Sequence, residues 1–272
     1  ANFLKCGGHM SKVIVITSGK GGVGKTTSTA NIGSALSALG KKVVIVDADI
    51  GLRNLDVVMG LENRIVFDII DIIEKRCTYQ KAMIRDKRFN NLFLIPAAQT
   101  RDKDAIVPEQ MKELCEELQT EFDYVLIDCP AGIENGFKNA VAGANQAIVV
   151  TTPEVSAVRD ADRIIGMLEA AGLNNPKLIV NRIRLDMVKQ GNMLNVEDMI
   201  DILRIDLIGI VPDDENIVIS TNKGEPVVLE DKGLASKAYK NIARRLEGEM
   251  VEFVDLDVQE SFFEKLKALF KK

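Results

Sequence analysis

Val13-Ile14-Val15-Ile16-Thr17-Ser18-Gly19-Lys20-Gly21-Gly22-Val23-Gly24-Lys25-Thr26-Thr27 is the stretch on which the reading of this chain turns. An apolar run gives way to a glycine-rich turn. An Ala/Ser/Leu pattern then runs from Lys25 to Leu39 and stops at Gly40, so the segment reads strand, loop, helix. Gly19 to Thr26 satisfy G-x-x-x-x-G-K-[ST] in the setting that this phosphate-binding pattern requires. Glycines let successive amides turn toward a phosphate, and the helix opening at Lys25 adds its positive dipole end. Lys25 supplies a point charge for the terminal phosphates and Thr26 a hydroxyl for magnesium, with Thr27 next to it. The expected nucleotide-binding set is therefore Gly19, Lys20, Gly21, Gly22, Val23, Gly24, Lys25, Thr26 and Thr27, and the expected cofactors are ATP and Mg2+.

The same alternation recurs along the chain. Apolar, β-rich runs at 43–46, 92–95, 124–127, 147–150, 178–180 and 207–211 are separated by segments with helical periodicity. Strands apolar on both sides are covered on both faces. The expected fold is α/β: a mainly parallel twisted sheet with helices on both faces, one P-loop domain over residues 10–246. At 272 residues the chain suits one large domain with appendages. Residues 1–9 lack any hydrophobic period and precede Met10, so they read as a leader added ahead of the native start. Residues 247–260 hold six acids and no bases and read as an acidic tether.

Two further acidic sites fall where a triphosphate site needs them. Leu126-Ile127-Asp128 ends an apolar run, the pattern of the acid that organises magnesium and its waters. Asp47-Ala48-Asp49 ends another; one carboxylate can hold the magnesium shell and the other orient the attacking water. Thr26, Asp47 and Asp128 are the expected metal residues. Gly19, Gly21 and Gly24 also spell G-x-G-x-x-G, with Asp47 placed like a ribose-binding acid. A lysine followed by two threonines has no task beside a nicotinamide pyrophosphate, whereas a triphosphate with magnesium uses both groups.

Composition narrows the partners. Forty acidic against 35 basic residues argue against wholesale nucleic-acid binding. Four scattered cysteines without a C-x-x-C pair read as reduced thiols, not a disulfide framework or a zinc site. No run reaches the ~18 apolar residues needed to span a bilayer, so expected membrane contact is peripheral.

That contact is expected at the end of the chain. On a helical wheel, Phe262, Phe263, Leu266, Leu269 and Phe270 share an arc of about 120°, with Lys265, Lys267, Lys271, Lys272 and Glu264 outside it. This is the pattern of an interfacial helix on anionic lipid, assigned to residues 261–272. Five such side chains contribute upwards of ~7 kcal/mol if fully buried, but interfacial burial is partial and ordering costs ~1–2 kcal/mol per residue. One copy binds marginally. Two copies joined through ATP gain ~10²–10⁴-fold in avidity without a new contact.

Lys20 and its neighbours resemble the deviant Walker A box of the MinD/ParA ATPases, whose extra lysine contacts nucleotide in the partner subunit of an ATP-bound dimer. VDADIGLRNLD (46–56), AAQTRDKDA (97–105), DCPAGIE (128–134), TTPEVSAVRDADRIIG (151–166) and the C-terminal segment resemble the division-site-selection branch of that family. The resemblance implies Lys20 and Asp49 as catalytic residues, Lys25 and Thr26 as phosphate and magnesium residues, and Asp128 as the Walker B acid. It implies Asn181, Arg182, Pro212 and Asp213 as base-side contacts, and Arg159, Asp160 and Asp162 as part of a partner-binding helix. It also implies an ATP-dependent homodimer, a MinC-like inhibitor and a MinE-like ATPase activator as partners, and slow turnover until a partner completes the site. The implied location is the bacterial cytoplasm and the inner face of the cell membrane, with a plastid homologue left open. Within the superfamily, a ParA-like DNA-segregation ATPase or a flagellar-number ATPase is the alternative. The former would spread basic residues for DNA, an iron–sulphur relative would need clustered cysteines, and a non-hydrolysing scaffold would lack Lys20 or Asp49.

Overall fold

Residues 10–100, 105–231 and 233–257 are described by the computed structural model. The apolar runs form strands: β1 (Lys12–Thr17), β2 (Val43–Asp47), β3 (Ile84–Arg85), β4 (Leu92–Ile95), β5 (Tyr124–Asp128), β6 (Gln146–Thr151), β7 (Lys177–Ile183) and β8 (Asp206–Pro212). They lie side by side in the order β3-β4-β2-β5-β1-β6-β7-β8. All pairings are parallel except β3 with β4. The seven strands read from the sequence are present. β3 has only two residues, too few to show a period, and exists because Ile84 and Arg85 pair with Leu94 and Phe93.

The helices are α1 (Lys25–Ala38), α2 (Leu55–Val58), α3 (Ile69–Ile73), α4 (Tyr79–Ala82), α5 (Pro108–Gln119), α6 (Asn135–Ala142), α7 (Val155–Ala170), α8 (Leu185–Lys189), α9 (Val196–Leu203), α10 (Glu215–Asn222) and α11 (Leu234–Leu246). Alternation along the buried strands feeds two cores. Val13 and Val15 pack with Met111 and Leu114 of α5, Val158 and Ile164 of α7, and Met199 of α9. Ile14 and Ile16 face the other way, onto Ile32 and Leu36 of α1 and Tyr239 and Ile242 of α11. Gly33 is needed in α1 because a Cβ there would stand 2.5 Å from Ile45 Cδ1. Among the described cysteines, Cys115 and Cys129 are buried, Cys77 is half-buried, and all three are free thiols.

The described part of the expected tether departs from that reading. Residues 247–257 run against the domain, because apolar side chains alternate with the acids. Val254 is buried in the α1–α11 core. Arg245 donates to the carbonyls of Val251 (2.9 Å) and Glu252 (2.7 Å), and its guanidinium stacks 4.0 Å from the Phe253 ring centre. The leader 1–9, the remainder of the tether and the helix expected at 261–272 lie outside the described residues. No described helix is long and apolar enough to cross a membrane.

Candidate nucleotide site

In an open parallel sheet, loops meet outside the carboxyl ends of the strands, and a ligand site is expected there. Adjacent strands set the register: Asp128 of β5 stands beside Ile16 of β1 and Asp47 of β2. The Gly19–Gly24 loop crosses the end of β1, with Gly22 (φ +79°) and Gly24 (φ +92°) in the left-handed region that a side chain disfavours. A Cβ on Gly24 would also lie 2.2 Å from Asn181 Nδ2.

Asp128 organises what lies beneath the loop. The Lys25 ammonium donates to its Oδ1 at 3.0 Å, Thr26 Oγ1 to its Oδ2 at 2.9 Å, and Thr29 Oγ1 to Oδ1 at 3.2 Å. Lys25 is 7% exposed and Asp128 1%. Burial works against the Lys25 charge, but the Asp128 carboxylate, with Cys129 and Asp49 acting in the same direction, leaves its pKa above the ordinary lysine value. Asp47 is pushed well above the usual carboxylate range, first by burial and then by the Asp128 charge beside it. One oxygen of Asp47 accepts the Asp49 amide at 3.0 Å; the other, Oδ2, is buried without a hydrogen-bond partner among the described residues.

A cleft of about 370 Å³ opens in front of these groups. Ser18, Gly21, Gly22, Gly24, Lys25, Thr26 and Thr27 line it, together with Asp49, Leu52, Asn54 and Val58. Pro130, Ala131 and Arg182 complete it. Arg182 takes a positive φ of 55°, turning the chain at the end of β7 toward the cleft. Asn181 is buried and donates to the Val23 carbonyl at 2.8 Å, so it also fixes the loop, while its Oδ1 has no partner among the described residues. Pro212 and Asp213 are not part of the cleft lining: Pro212 ends β8 opposite Ile183, and the Asp213 amide donates to the Ile183 carbonyl at 3.0 Å. Lys20 also stands outside that lining. Its ammonium bonds Ser156 Oγ at 3.3 Å and lies 3.7 Å from Glu154, at the start of α7. Gly19 is pressed on the same helix, where a Cβ would meet the Asp160 backbone at 2.4 Å.

Thr29, Leu52, Asn54, Val58, Pro130 and Ala131 escape a sequence reading. Thr29 alone carries a signal, lying three residues beyond Thr26 on the same face of α1. The donor set fits magnesium with a triphosphate. Thr26 Oγ1 and the Asp47 and Asp128 carboxylates are hard oxygen groups, the buried Asp47 Oδ2 has no hydrogen-bond partner among the described residues, and magnesium completes its shell with water and phosphate oxygens. A larger cavity of about 640 Å³, between the α3–α4 segment and α5, is lined by no residue of this set.

A glycine-rich loop opening into a helix, with its lysine and threonine gathered on a strand-end carboxylate, defines a P-loop nucleotide-binding protein. A family model described as an AAA domain matches residues 11–180. The septum site-determining protein MinD of Synechocystis is 61% identical over 247 residues, 90% of this chain and 93% of the relative. Among solved structures, the Aquifex aeolicus MinC:MinD cell division protein complex aligns with a TM-score of 0.84 at 53% identity, covering 90% of this chain and 99% of that one. The Pyrococcus horikoshii MinD, solved as its Mg-ADP complex, gives 0.80 at 30% identity, covering 87% and 96%. The chain belongs to the MinD family of septum site-determining proteins, P-loop ATPases of the MinD/ParA group.

Proposed function

We propose that this chain binds Mg-ATP in the cleft, pairs with a second copy while ATP is bound, and releases that copy after hydrolysis. The observation that carries the reading is the convergence of Lys25 and Thr26 on Asp128 beneath the glycine loop, with Asp49 lining the same cleft. Lys25 and the loop amides hold the phosphates, and Thr26 with Asp47 and Asp128 holds the magnesium shell. The bound ion neutralises charge on the phosphates. Asp49, which lines the same cleft, orients the water that attacks in line.

Lys20 gives the proposal its dimeric form, since it stands at the surface beside its own site instead of in it. In this reading it reaches nucleotide held by another copy. Lys20→Ala is expected to retain ATP binding and fail to dimerise; sedimentation velocity with ATP and with ADP measures this, and a dimer of normal affinity would rule the role out.

The nucleotide state then sets membrane residence. Residues 261–272 provide the amphipathic helix, which binds marginally as one copy and firmly as two. Leu266→Glu removes a side chain contributing ~1.5–3 kcal/mol when buried and puts a charge into the apolar arc. ATP-dependent binding to anionic liposomes is expected to collapse while ATP binding in solution survives. Intact liposome binding with lowered thermal stability would show instead that the helix docks on its own domain. The Aquifex relative was solved with MinC, and a MinC-like inhibitor is the partner proposed here, with a MinE-like activator accelerating otherwise slow turnover. The proposed location is the bacterial cytoplasm and the inner face of the membrane.

A further inference from the structure

The wall of the cleft that carries Leu52, Asn54 and Val58 is a short segment, α2 having four residues; Leu55, Met59 and Leu61 root it in the α1–α11 core, while Leu52, toward the cleft, is 60% exposed. Its far end, at Met59 and Gly60, is fixed by a group distant in sequence. Arg88 NH2 donates to the Met59 carbonyl at 2.7 Å, and NH1 to the Gly224 carbonyl at 3.2 Å. The guanidinium is aimed by Asp86, which accepts from Nε at 3.1 Å and from NH2 at 2.8 Å. Asp86 is itself 3% exposed and is held by the amides of Arg88 (2.7 Å) and Phe89 (3.2 Å). The two segments that Arg88 joins touch backbone to backbone: a Cβ on Gly60 would lie 2.5 Å from the Gly224 oxygen, and both glycines have φ of +66°.

We propose that Arg88, aimed by Asp86, is a positioning residue for the nucleotide site: it clips the end of α2 onto the Gly224 loop and thereby keeps the cleft wall closed on bound nucleotide. The clip rests on the nucleotide reading of the cleft. An arginine suits the place because its planar fork serves one carboxylate and two carbonyls at once, which a lysine ammonium cannot do in the same geometry. Without it the Met59 and Gly224 carbonyls and the Asp86 carboxylate lose their common donor, and the end of the wall at Met59 and Gly60 loosens from the Gly224 loop although its apolar side chains stay in the core.

The test is amide hydrogen exchange over residues 55–61 without nucleotide, together with release of a fluorescent ADP analogue, in the wild type, Arg88→Ala and Arg88→Lys. Exchange in that segment is expected to rise and release to accelerate on the order of tenfold in Arg88→Ala, with Arg88→Lys between it and the wild type. Gly60→Ala, which keeps Arg88 but wedges the two segments apart, is expected to act in the same direction. It also provides the answer should Arg88→Ala fail to fold. Release and exchange unchanged from the wild type in the folded variants would overturn the proposal. A wild type that binds no nucleotide would instead remove the reading of the cleft, leaving the exchange result to judge the clip alone.

Discussion

Lys25→Ala is expected to weaken ATP binding by about 100-fold or more. The figure follows from losing two charge-assisted hydrogen bonds to phosphate oxygens at ~1.5 kcal/mol each, while the loop amides remain. The same change leaves Asp128 buried beside Asp47 without its cation, so thermal stability should fall as well. Thr26 and Thr29 still donate to Asp128 and hold the framework. Titration with ATP, at a temperature where the variant is folded, separates the two effects. Wild-type affinity there would contradict the assignment of the phosphate loop.

The second large effect belongs to Asp49. It lines the cleft with the glycine loop, its amide tied to Asp47 Oδ1, so the segment that carries it is set by the buried strand end. Asp49→Ala should bind ATP nearly as tightly as the wild type. Hydrolysis should drop by ~10²–10⁴-fold, the range that a positioned proton acceptor contributes. Single-turnover hydrolysis under saturating ATP reads that loss directly, and near-normal turnover would mean that another group orients the water.

Much of this architecture was legible because the informative residues repeat or cluster in sequence. Seven strands are apolar on both faces and announce themselves as runs, and the phosphate loop compresses a turn, a charge and a hydroxyl into eight residues, Gly19 to Thr26. Asp47 and Asp128 were found because each ends an apolar run, and Asp49 because it follows Asp47 two residues on; parallel register then sets Asp47 beside Asp128. What escaped lacks local pattern. β3 is made by its partner strand and not by its own two residues. Leu52, Asn54 and Val58 have no chemistry to mark them, and only the fold shows that they line the cleft. The Asp86–Arg88 pair looks like one more surface charge cluster until the fold brings Met59 and Gly224 to it. The acids of 247–257 hid the buried Val254 and the stacked Phe253, which hold that segment against the domain.

ATP, and not nucleotide in general, is expected to commit the chain to a membrane surface. Co-sedimentation of the full-length wild type with anionic liposomes, with Mg-ATP, with Mg-ADP and without nucleotide, tests it most directly. Mg-ATP should carry most of the protein into the liposome pellet, and the other two conditions should leave it in solution. Equal pelleting in all three, or none in any, would show that ATP does not control membrane residence.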